Sequence, residues 1–105
     1  MPTRPDNYQW LESTFGSVMQ AHQRLGQELQ AAGPLDAKTA HLIQLAAAAA
    51  SRSEGAVHSH VRRALTAGAA QAEIHHALIL LASTIGFPNA AAALCWARDV
   101  LEPAS

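Results

Sequence analysis

Apolar residues recur along this chain at helical spacing, and no stretch alternates apolar and polar positions as a half-buried strand would. The pattern predicts an all-α fold of five to seven helices. A first helical stretch begins at Asp6 and carries Trp10, Leu11 and Phe15; Gly16 interrupts it before a second run from Ser17 to Ala31. Gly33-Pro34 forces a turn. Asp36 then offers a carboxylate to the free N–H groups at the start of a third helix, which runs to about Arg52. From Leu42 onward that helix is apolar nearly all round, with Gln44 inside the run, which predicts burial on several sides. A fourth helix starts near Ser53 and packs on the third. Gly68 suits the residue just beyond its end, where a left-handed conformation costs glycine little. A fifth spans Gln71 to Ile85, Gly86 ends it, and Pro88 fits the first turn of a sixth. Trp10, Phe87 and Trp96 read as packing anchors, and the tail Pro103–Ser105 as frayed.

With 105 residues the chain is expected to form a single domain over 1–105, and no repeat or low-complexity linker divides it. Half of the residues are apolar, but many of these are alanine, as in Ala46 to Ala50, and alanine buries little area per side chain. A small, thinly filled core favours sharing it between copies, so a homo-oligomer is expected. The formal charge of -1 and the scattering of seven basic residues give no electrostatic footprint for nucleic acid. The apolar stretches are too short to span a bilayer and no basic-plus-apolar leader opens the chain, so no membrane association and a cytoplasmic location are expected. Cys95 is the only cysteine; it excludes an internal disulfide or Cys-x-x-Cys pair and reads as a buried, inert thiol.

From Arg52 to Gly68 the chain reads Arg-Ser-Glu-Gly-Ala-Val-His-Ser-His-Val-Arg-Arg-Ala-Leu-Thr-Ala-Gly. This segment resembles the core of the alkylhydroperoxidase (AhpD-like) and carboxymuconolactone decarboxylase superfamily. In the peroxidase branch the segment has the form Cys-x-x-Cys-x-x-x-His, followed by Val-Arg-Ala-Ala-Leu-x-x-Gly-Ala. Ser53 and Ala56 stand at the two cysteine positions here, and His60 stands at the histidine. Leu35-Asp-Ala-Lys-Thr-Ala-His-Leu-Ile before the core and Gly86-Phe-Pro-Asn-Ala-Ala-Ala-Ala-Leu after it are similar to the flanking helices of the same family. The family's glutamate, twelve residues ahead of the first cysteine, falls at His41.

The resemblance implies an AhpD-like helical bundle that assembles as a trimer, or as a hexamer built from trimers. Thiol peroxidase activity is not expected, because that chemistry needs a thiolate nucleophile that serine cannot replace. The decarboxylase branch, which acts on a lactone acid in aromatic catabolism, does without the cysteine pair. Decarboxylation leaves a carbanion or enolate that must be stabilised and protonated, tasks suited to a histidine titrating near neutrality. His60 is therefore the candidate proton donor or oxyanion stabiliser, with His41 and Glu54 as catalytic partners and Ser53, Arg62 and Arg63 as candidate substrate-binding residues for a small acid. The competing reading is a non-catalytic binding or structural protein on the same scaffold.

On a helix turning about 100° per residue, Ser53, Ala56, Val57, His60 and Ala64 share one face. Glu54 and His58 occupy a neighbouring face, where they pair at i,i+4. His58 and His60 diverge by about 200°, which makes them poor joint ligands for a metal on a regular helix. A histidine-based metal site rests on the count of six histidines alone, with no ligand spacing such as His-Glu-x-x-His, so neither metal nor cofactor is expected. His75-His76 reads as a surface or interface pair.

Overall fold

The computed structural model describes residues 4–103, and these contain six α-helices and one 3-10 turn, with no strand among them. They fall into two compact units, Met1–Pro34 and Leu35–Ser105. The first holds α1 (Arg4–Thr14) and α2 (Gly16–Ala31). α1 begins two residues ahead of the expected Asp6. The break between the helices falls at Phe15 and Gly16, where the Phe15 backbone leaves helical geometry (φ −126°, ψ 49°). The Trp10 and Phe15 rings meet edge to face across that bend, with centroids 5.8 Å apart.

The second unit holds α3 (Ala37–Ala50), α4 (Glu54–Thr66), α5 (Gln71–Ile79), a 3-10 turn (Leu80–Ser83) and α6 (Phe87–Leu101). α3 starts as expected: the Asp36 carboxylate accepts from the Thr39 N–H at 2.8 Å, which holds its pKa below the ordinary carboxylate value. α3 ends two residues earlier than the apolar pattern suggests. Ser51 caps it, Arg52 takes a left-handed φ of 57°, the Ser53 N–H reaches the Ala48 carbonyl at 3.1 Å and the Arg52 N–H the Ala49 carbonyl at 3.0 Å. These two bonds make a Schellman turn. The same device ends α4 at Gly68 (φ 99°), where the Ala69 N–H bonds the Ala64 carbonyl and the Gly68 N–H that of Leu65. Only one of the two turns has glycine at the left-handed position, and the other was invisible in the sequence.

The expected fifth helix is split. α5 stops at Ile79 and the chain tightens into the 3-10 turn, with Thr84 and Ile85 N–H groups both directed at the Leu81 carbonyl. Ser83, Thr84 and Ile85 are weak helix formers, and the tighter turn satisfies the last carbonyls ahead of Gly86. Gly86 itself sits at φ 91°, and Pro88 follows in the first turn of α6.

The core of this unit gathers Leu45, Ala48 and Ala49 from α3, Val57, Val61 and Ala64 from α4, Ile74 and Leu78 from α5, and Ala90, Ala93, Ala97 and Leu101 from α6. Alanine fills it more than any larger residue, so the helices approach closely. The expectation that α3 is buried on several sides does not hold: one face carries the buried residues, while Ile43 is 52% exposed. Trp96 packs against the core as an anchor should, whereas Trp10 and Phe87 stand 55% and 62% exposed. Cys95 is exposed as well, contrary to the buried reading, because it lies on the solvent side of α6, one helical turn from Arg98 and Asp99. Lys38 and Glu73, 3.0 Å apart, tie the first turn of α3 to that of α5, where Glu73 also accepts from the Ala70 N–H. Of the tail Pro103–Ser105 expected to fray, Pro103 is exposed and outside any helix, and Ala104 and Ser105 lie outside the described residues.

Candidate functional site

α3 and α4 are adjacent in the core, joined by the three residues Ser51 to Ser53. His41 stands one turn ahead of the fully buried Leu45, and His60 lies between Val57 and Ala64, both fully buried. Helical spacing therefore turns both imidazoles toward the interface between the two helices. Their ring centroids are 5.9 Å apart with planes inclined by 38°. The Nδ1 atom of each is buried and has no hydrogen-bond partner.

Both rings titrate below the ordinary histidine value of 6.5. For His41 the main cause is burial, followed by the positive charge of Arg63, with a hydrogen bond that the ring donates to Gln44 acting in the opposite direction. For His60 burial again leads, then Arg63, then His41 itself. The pair is thus held toward its neutral form by desolvation and by a guanidinium. Arg63 forms no ion pair among the described residues. Arg63 is exposed and has no carboxylate paired with it among the described residues, so its guanidinium is free to receive an anionic group beside the two neutral rings.

The other sequence-derived candidates make contacts of their own. Ser53 is the N-cap of α4, and its hydroxyl accepts from the Ala56 N–H at 3.3 Å. Arg62 is exposed, with its carbonyl taking the Thr66 hydroxyl. Glu54, exposed in the first turn of α4, faces His58 and not His60. His58 Nε2 lies 3.2 Å from Asp99 Oδ2 on α6 and 3.9 Å from Glu54 Oε2. The structure therefore brings His41, His60 and Arg63 into one neighbourhood and gathers Glu54, His58 and Asp99 into another. His75 is half-buried with an unpartnered Nε2, and its neighbour His76 is exposed.

Two contributors escaped the sequence reading. Gln44 carried a visible signal, a polar residue three positions after His41 in an apolar run. Asp99 carried none, since only the packing of α6 on α4 brings it to His58.

No curated protein sequence matches the chain. A family model described as "Carboxymuconolactone decarboxylase family" matches residues 16–99, a span that includes both histidines of the pair and Arg63.

Proposed function

The chain belongs to the carboxymuconolactone decarboxylase family, and on that footing we propose that it binds a small carboxylated lactone or related acid beside His41 and His60 and decarboxylates it. The observation that carries this reading is the pair of half-buried imidazoles, each with an orphaned Nδ1, next to an Arg63 that lacks a counter-ion. A carboxylated substrate brings a negative charge that the exposed Arg63 guanidinium can bind. Its arrival offsets the repulsion from Arg63 and lets one ring of the pair take up a proton.

The carbon–carbon bond to the carboxylate then breaks and carbon dioxide leaves. The electron pair stays on the former α-carbon, delocalised onto the lactone carbonyl oxygen as an enolate. An imidazole N–H stabilises that oxygen, and the protonated ring returns its proton to carbon. A histidine with a lowered pKa suits the second step, because its conjugate acid releases the proton readily. No thiol takes part, since serine and alanine occupy the two cysteine positions and Cys95 lies on α6. Homo-oligomerisation as a trimer or hexamer belongs to the same reading; the exposed Ile43, Leu80 and Phe87 support it, and sedimentation velocity tests it. So does a cytoplasmic location, which accords with the lack, among the described residues, of a helix long and apolar enough to cross a membrane.

The orientation of Glu54 favours a second reading. With its carboxylate turned to His58, the pair lacks an acidic partner, as a binding or structural protein on the same scaffold would. The experiment that separates the two is His60→Gln assayed by carbon dioxide release from a carboxylated lactone. Catalysis predicts a loss of about 10²–10⁴ in turnover with the fold retained, the range for a lost general acid–base group. A lower melting temperature without turnover in either protein would put the binding reading first.

A further inference from the structure

On the face of α4 next to the histidine pair, Glu54 and His58 stand at i,i+4, and Asp99 reaches the same point from α6. One donor atom from each lies within 4.8 Å of those of the other two. We propose that Glu54, His58 and Asp99 bind one divalent transition-metal ion, with zinc(II) the best match.

The cluster is centred on an imidazole and is more than an acidic patch. The His58 side chain is only 14% exposed, so its ring is fixed by packing, while Glu54 and Asp99 are 53% and 54% exposed and can adjust. With its proton on Nε2 the ring has one N–H to give there, and Asp99 at 3.2 Å is placed to receive it. Glu54, at 3.9 Å from the same nitrogen, is beyond hydrogen-bond reach, and no other partner faces it among the described residues. Two negative charges therefore converge on a single nitrogen that can satisfy one of them.

Donor atoms bound at about 2.1 Å to a common tetrahedral ion are roughly 3.4 Å apart. The separations of 3.2 and 3.9 Å from His58 bracket that spacing, the two carboxylates lie within 4.8 Å of each other, and both are exposed enough to close on an ion. Three protein ligands with an open, solvent-facing side leave room for water as the fourth. The nitrogen donor favours zinc over magnesium or calcium, which prefer all-oxygen shells. Bound there, the ion would clip α4 to α6. This inference does not depend on the proposed decarboxylation, and its readouts are binding and melting instead of turnover.

The test is titration of untagged protein with zinc chloride in a non-chelating buffer, read by calorimetry and by thermal melting, with magnesium chloride in parallel. One zinc per chain is expected, with a melting temperature several degrees higher at saturation and little response to magnesium. His58→Gln, Asp99→Asn and Glu54→Gln should each weaken zinc at least tenfold while circular dichroism retains the helical signal. The exposed Glu54→Gln variant keeps the test decisive should either of the other two fail to fold. Zinc binding that survives these substitutions, or is lost instead in His41→Gln, would overturn the proposal. So would an equal response to magnesium, or no zinc binding at all.

Discussion

Acidification is expected to destabilise the fold through His41 and His60. In the folded chain both rings bind a proton less readily than the ordinary value of 6.5 implies, through burial first and the charge of Arg63 second. Below pH 6.5 the unfolded chain therefore carries more protons than the native one, down to the depressed folded values. Stability contributed by the neutral rings is complete above that pH and declines as pH falls through the window. One proton of difference is worth about 1.4 kcal/mol per pH unit, so two rings set a ceiling of roughly 2.7 kcal/mol per pH unit. Solvent that reaches the half-buried rings lowers the slope from that ceiling. Urea melts between about pH 7.5 and pH 5 on the wild type, His41→Gln, His60→Gln and the double variant measure it. Subtracting the double variant removes every other titrating group. The wild type should lose stability faster than the double variant below about pH 6.5. The recoveries of the two single variants should add up to more than the whole difference, because His41 itself lowers the pKa of His60 and that repulsion vanishes in either one. Parallel pH profiles for the wild type and the double variant would refute the account.

The two Schellman turns predict opposite responses to glycine exchange. Arg52→Gly relieves a left-handed conformation costing about 1–2 kcal/mol and gives back about 0.5–1 kcal/mol in unfolded-chain entropy, so the melting temperature should rise by a few degrees. Gly68→Ala meets no atom within 4 Å of the added Cβ, so its loss should be purely torsional, about 1–2 kcal/mol by urea melt; a neutral result would show that the turn rearranges. Native Cys95 should label fully with a maleimide and the labelled protein should keep its helical signal, whereas labelling that needs urea would place the thiol in a contact.

The sequence made the helices legible where apolar period and punctuation agreed, as at Asp36, Gly68 and Gly86. It misled where tertiary geometry decided. Arg52 occupies a left-handed position that propensity assigns to glycine, because the short link between α3 and α4 demands that conformation. The apolar run from Leu42 pointed to burial on several sides, yet its buried residues all lie on the Leu45 face and Ile43 stands exposed. At the candidate site, the helical repeat and the family resemblance both pointed to His41 and His60. The repeat alone also separated Glu54 and His58 from His60. It could not supply Asp99, forty-one positions beyond His58, since no local pattern encodes which residue of α6 meets which turn of α4.

The alanine core has a consequence for how this chain can change over time. In a leucine-filled bundle the damaging substitutions remove atoms. At Ala48, Ala49, Ala64, Ala90, Ala93 and Ala97 there is almost nothing to remove, and none of these side chains has more than marginal access to solvent. Enlarging one of them drives two helix backbones apart, at a cost of about 1–3 kcal/mol. Shrinking one to glycine loosens its helix by about 1 kcal/mol. Both directions of drift are uphill, so these positions have a nearly frozen alphabet of one letter, and diversification is channelled to the exposed helix faces.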